Sequence, residues 1–173
     1  MQEIKITNQN LNREALFYAL ESAGIQTNAY ADLIFNHPSY TYTDAEKEIS
    51  IVELTLHDLG LKNGGNFKQT EEAIQLSGYN CCPLEIAPYI RMHYRSQKPA
   101  RPKTENGHPP DSILIFSKPL ADSSEFPKGF YLRNIEGILW LRAYIASDDY
   151  LWEPDTQLIV RKTVIEKNIP VLR

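Results

Sequence analysis

Alternation with a period of two runs through the second half of this chain and commits it to folds that contain a substantial sheet. Ser112 to Ser117, Phe130 to Ile135, Ile138 to Ile145 and Gln157 to Lys162 all have strand character, and Tyr89 to Arg95 reads the same way. In three of these segments one side carries a single chemistry: Tyr89, Arg91, His93 and Arg95, then Tyr131 and Arg133, then Trp140, Arg142 and Tyr144. The residues between them are mostly apolar, as a half-buried strand requires. Laid side by side, the three runs would give one face rich in Arg and aromatic rings. Guanidinium pairs with carboxylate or phosphate and the rings stack on planar groups, so this face is the candidate binding surface.

Helical signals come earlier. Leu11, Ala15, Leu16, Ala19, Leu20 and Ala23 recur at helical spacing between Asn10, a candidate N-cap, and Gly24, a stop. A second helix is expected from about Asn28 to Asn36, presenting Tyr30, Leu33 and Ile34 and ended by Pro38. A third opens at Asn66, with Gln69 three residues on as in a capping box, and closes at Gly78. Residues 2–7 and 51–56 read as strands, Ser39 to Lys47 as a polar connection and Lys62-Asn63-Gly64-Gly65 as a turn. Ile135-Glu136-Gly137 has the form of a tight β-hairpin connection. Pro99 to Pro110 holds four prolines and one glycine, which predicts a long exposed loop. Helices early and strands late favour an α+β fold, with N-terminal helices followed by a mainly antiparallel sheet and a long Pro-rich loop. The 173 residues fit a single domain, with 1–48 as a candidate helical subdomain.

Other features narrow the function classes. No apolar run approaches the roughly 20 residues of a membrane helix, and the start, Met1-Gln2-Glu3-Ile4-Lys5-Ile6, lacks a secretory apolar stretch, so a cytoplasmic location without a membrane partner is expected. Cys81 and Cys82 are adjacent, and a disulfide between them would close a strained ring, so both read as reduced thiols. A net charge of −4 and a pI near 5.6 argue against bulk electrostatic attraction to nucleic acid. Arg91 to Lys103 nevertheless holds five basic residues and no acid, so Lys98, Arg101 and Lys103 are placed to close over a ligand on the Arg face.

Catalytic and metal chemistry leave weaker marks. Cys82, Glu85 and His93 contain the groups of a thiol hydrolase or transferase, a nucleophile with a base and an orienting carboxylate. A free cysteine is more often a small buried apolar residue, and no Cys-x-x-Cys is present. His37, His57, His93 and His108 are scattered without ligand spacing, so neither a metal nor a cofactor is expected. Asp148, Asp149, Glu153 and Asp155 read as a solvated turn. Gly64-Gly65 lacks the Gly-Lys-Ser or Gly-Lys-Thr of a phosphate loop. Trp140, Trp152, Tyr144 and Tyr150 surround the acidic turn, either as the edge of the core or as the lining of a cleft.

A resemblance adds to these readings. Cys82-Pro83-Leu84-Glu85 with Pro88, Arg91 and Tyr94 opens the pattern. Gly129-Phe130-Tyr131-Leu132-Arg133, Gly137-Ile138-Leu139-Trp140-Leu141-Arg142 and Trp152 with Pro154 complete it. Over about residues 51–161 the chain resembles a family of small uncharacterised bacterial proteins. Some members carry the label helicase, yet this chain has no ATP-binding loop or helicase motif. The loop from Ala100 to Asp111 is longer here, and Ala143 stands where glycine is usual in the family pattern. The family implies no active-site residues. The reading is therefore a non-enzymatic binding module whose Arg and aromatic face engages a protein partner or a nucleic acid, with acidity favouring protein. The competing reading is an enzyme built on Cys82, His93 and Glu85.

Overall fold

The computed structural model describes residues 1–43, 46–102 and 108–163. In chain order its elements are β1 (Glu3–Thr7), α1 (Arg13–Ser22), β2 (Gln26–Thr27), α2 (Ala29–Phe35), β3 (Glu48–Thr55), α3 (Phe67–Leu76) and β4 (Tyr79–Asn80). A 3₁₀ turn (Leu84–Ile86) then leads into α4 (Ala87–His93), β5 (Ile113–Ile115), β6 (Gly129–Ile135), β7 (Ile138–Tyr144) and β8 (Gln157–Lys162). Eight strands form one sheet in the order β1-β3-β8-β5-β6-β7-β2, with β4 joining β8. The β5–β8 and β2–β7 pairs are parallel and the other pairs antiparallel, so the fold is α+β with a mixed sheet.

Local chemistry sets the boundaries. The Asn12 side chain accepts from the Ala15 N–H at 2.9 Å and caps α1. The expected cap, Asn10, instead has φ of +49°, a left-handed backbone that cannot lead directly into a helix, so α1 starts three residues beyond it. Asn28 caps α2, and the Asn66–Gln69 capping box on α3 forms with both hydrogen bonds at 2.9 Å. Each such cap contributes about 1 kcal/mol. The β6–β7 hairpin turns through Glu136 and Gly137, both at positive φ (+54° and +87°), as a two-residue primed turn requires.

One expected strand is a helix. Tyr89 to Arg95 falls within α4 and the turn after it, so Tyr89, Arg91, His93 and Arg95 do not form one side of a strand. Two causes outweigh the alternation. Residues two apart repeat at four apart, so Tyr89 with His93, and Arg91 with Arg95, satisfy helical spacing equally well. Pro88 sits in the first turn, where a helix tolerates it, and Ala87 to Arg91 are all buried without alternation. Strands β2 and β4 carry no sequence signal, being two residues each.

The sheet is packed on both faces. On one, α1, α2 and α4 bury Leu16, Leu20, Ile34, Phe35 and Ile90 against Ile51, Phe130, Leu132, Leu141 and Ile159. On the other, α3 brings Ala73 and Ile74 to Val52, Leu54, Leu114, Phe116, Leu158 and Val160. Each large apolar side chain so enclosed contributes about 1.5–3 kcal/mol of transfer free energy. Residues 1–48 supply β1 and β2, the strands at the two ends of the path. Of the Pro-rich segment, residues 99–102 and 108–110 form neither helix nor strand, and 103–107, with Lys103, lie outside the described residues.

Candidate binding site

Strand alternation decides where each site residue points. On β6 and β7, Phe130, Leu132, Leu141 and Ala143 join the helix-covered core, so Tyr131, Arg133, Trp140, Arg142 and Tyr144 face the opposite side. The N-terminal helices therefore cover the other face. Register places Tyr131 opposite Arg142 and Arg133 opposite Trp140. The Arg142 Nε–H donates to the Tyr131 hydroxyl at 2.9 Å, and its guanidinium carbon lies 5.1 Å from the centre of the Trp140 ring. Tyr144 packs edge-on against Tyr131 at 6.3 Å and against Trp152 at 5.9 Å. Trp152 is itself pinned, exchanging backbone hydrogen bonds of 3.1 and 2.9 Å with Gly65.

Tyr131, Arg142, Tyr144 and Trp152, with Tyr150, line a cavity of about 290 Å³, whereas Arg133 and Trp140 lie outside its walls. Tyr30 and Ile145 stand at its rim, 39% and 44% exposed. His108, Pro109 and Tyr150 separate it from a second, polar cavity of about 600 Å³ that reaches Arg101, Glu153 and Asp155. Arg142 makes no ion pair among the described residues. Arg101, by contrast, is spent on a pair with Asp111 at 2.9 Å, which holds the Asp111 carboxyl below its usual range.

Arg133 lies almost buried, with one N–H directed at the Arg101 carbonyl at 3.4 Å and its Nε unpartnered. Burial and this neighbouring charge bring the His108 imidazole down to about 4. His108 Nε2 lies 2.7 Å from the Ser112 hydroxyl, which also sits 2.7 Å from the Pro109 carbonyl. A hydroxyl has one proton, and a carbonyl only accepts, so Ser112 donates to Pro109 and the neutral ring donates to Ser112. That arrangement uses His108 to fasten the loop and leaves Ser112 no base.

The residues of the helical segment do other work. Arg91 is fully buried; its Nη1 donates to Gln97 Oε1 at 2.6 Å and to the Trp140 carbonyl at 3.3 Å, and its Nη2 to the Tyr94 carbonyl. Burial lowers its pKa to about 10, so it stays charged. Gln97 in turn donates to the Leu132 carbonyl at 3.2 Å, and Asn134 donates to the Gln97 carbonyl at 2.7 Å. Arg91 thus ties α4 to the strands under the cleft. The Tyr89 hydroxyl accepts from the Leu11 N–H at 3.0 Å, while His93 and Arg95 are exposed at the end of α4.

Cys82, Glu85 and His93 do not come together. The Cys82 thiol is buried, 3.8 Å from the Ile159 carbonyl, and burial pushes its pKa far up. Cys82 and Glu85 line a cavity of about 410 Å³ in which His93 has no part, and the His93 ring packs on Tyr94. The two thiols face opposite sides, Cys82 in the helix-covered core and Cys81 against the other.

Sequence reasoning places Trp140, Tyr144, Tyr150 and Trp152 in one neighbourhood and Arg142 on the strand side shared by Trp140 and Tyr144, but it gives no binding role to His108 or Tyr30. Both arrive from distant segments by folding, and neither has a local signal. Among the described residues no group of three His, Cys, Asp or Glu side chains could hold a metal ion, and no helix is long and apolar enough to cross a membrane. No protein-family model, curated protein or solved structure matches the chain.

Proposed function

We propose that this protein is a non-enzymatic binding module that docks a protein partner on the β6–β7 cleft, with Arg142 receiving a carboxylate. The observation that carries the reading is the state of Arg142, a guanidinium held over Trp140 by Tyr131, without an acidic partner among the described residues, in the wall of an aromatic cavity. A charge-assisted hydrogen bond in such a partly dry site is about twice as strong as a neutral one. Tyr144, Tyr150 and Trp152 supply the rigid aromatic surface that binding hot spots favour. The exposed Tyr30 and Ile145 extend an apolar rim around it.

Protein is favoured over nucleic acid by the surrounding charge. Asp148, Asp149, Glu153 and Asp155 are exposed beside the cleft, and they would repel a phosphate backbone. The thiol enzyme has less support, since Cys82 is buried and held as the neutral thiol.

Selection from a displayed random peptide library on the immobilised protein tests the reading. Enriched peptides should carry a carboxylate and should bind Arg142→Gln at least about tenfold more weakly. Peptides that bind Arg142→Gln as well as the unaltered protein would overturn it. A salt series with single- and double-stranded DNA and RNA should show no binding at physiological salt; steep, Arg142-dependent binding would replace the protein partner with a nucleic acid.

A further inference from the structure

We infer that the occupant of this cleft is the C-terminal residue of a partner protein, an apolar side chain seated in the aromatic cavity with its α-carboxylate on Arg142 and Tyr131. The inference rests on the reading above and makes it specific.

Size is the first argument. At about 290 Å³ the cavity lies at the bottom of the range of roughly 300–1,000 Å³ that takes a drug-sized ligand. It therefore accepts about one large side chain rather than a folded surface. In a chain terminus the carboxylate and the side chain hang from one Cα, so both fit this space together. An internal Asp or Glu would have to bring a second, apolar side chain and continuing backbone on both sides.

Donor supply is the second. The Tyr131 hydroxyl accepts from Arg142 Nε, and its own proton goes to no acceptor among the described residues. The Arg142 Nη groups likewise donate to none. The hydroxyl and the guanidinium edge are adjacent, so a carboxylate with two oxygens matches both. Of the other polar groups in the wall, Asn28 is already committed, its side chain donating to the Ala143 carbonyl at 3.0 Å and accepting from its N–H at 2.9 Å, while the buried Tyr144 hydroxyl has no hydrogen-bond partner among the described residues and is a further donor.

Charge is the third. One guanidinium is available, His108 is neutral, and Glu153 and Asp155 lie across the shared wall. The site suits a single negative charge better than a doubly charged phosphate.

The test uses N-acetylated hexapeptides of alanine ending in Leu, Phe or Gly, each as free acid and as C-terminal amide, titrated into the full chain by calorimetry. The Leu or Phe free acid should bind at least about tenfold more tightly than its amide, and the difference should shrink to within about twofold in Arg142→Gln. The Gly-ended acid should bind at least about tenfold more weakly than the Phe-ended one. Tyr131→Phe, which keeps the ring and removes the donor, should lower affinity for the acid by more than for the amide, whose carbonyl accepts only a neutral hydrogen bond. Equal binding of acid and amide overturns the terminus proposal, and library-selected peptides with internal carboxylates that still need Arg142 would leave the broader reading standing. Peptide binding that Arg142→Gln leaves untouched overturns both.

Discussion

Arg91 and Arg142 look alike in the sequence and do opposite work. Arg91 is enclosed and supplies hydrogen bonds to two carbonyls and Gln97, so Arg91→Met should cost about 3 kcal/mol in urea unfolding by leaving those acceptors unpaired. Arg142→Gln should cost under about 1 kcal/mol, since the side chain is half-exposed with one hydrogen bond and one ring contact. Equal costs would contradict this division. The thiols give a second check: burial holds Cys81 up to about 11 and Cys82 higher, so iodoacetamide at pH 7.5 should modify neither until the protein unfolds. Fast labelling of Cys82 would return the thiol enzyme to consideration. A third concerns His108. Its imidazole is held at about 4 against about 6.5 in the unfolded chain, so between these values the unfolded chain takes a proton that the folded one refuses. The stability from this site is whole above about pH 6.5 and is lost as pH falls towards 4. His108→Gln should flatten that limb of the stability profile by up to about 3 kcal/mol, at roughly 1.36 kcal/mol per pKa unit. Coincident profiles would contradict the assignment.

At the scale of elements, the legible parts were those with local causes. The Asn66–Gln69 box and the Glu136–Gly137 turn were readable because cap and turn chemistry acts within four residues. Tyr89 to Arg95 misleads because a four-residue repeat serves strand and helix alike, and the continuous burial of Ala87 to Arg91, invisible in sequence, decides it. The same local logic yields a prediction at Gly64. There φ is +78° and a Cβ would lie 2.0 Å from the Trp152 carbonyl oxygen, so Gly64→Ala should cost at least about 2 kcal/mol and displace the cleft wall. Gly60, at φ of +86° with open space around it, should cost about 1 kcal/mol when changed to Ala and leave binding alone. Thermal unfolding of the two variants separates backbone preference from the clash.

For the whole molecule, the decisive fact is the division of the sheet's faces. The N-terminal helices take the face that carries Phe130, Leu132 and Leu141, so the Arg142 face is finished by the Trp152 segment and the His108 loop, which leave a cleft. Strand spacing alone gave the Tyr131, Arg133, Trp140, Arg142 and Tyr144 side. Which layer covers it depends on long-range packing that no local pattern encodes, and Tyr30 and His108 entered the site by that route. Both tryptophans of the chain lie at the site, Trp140 under Arg142 and Trp152 in the cavity wall, so intrinsic emission reports on it directly. The most direct measurement is a titration of a library-selected peptide followed by this emission in the unaltered protein and in Arg142→Gln. The account predicts a saturable change whose dissociation constant rises at least about tenfold in the variant. The same curve in both proteins would contradict it.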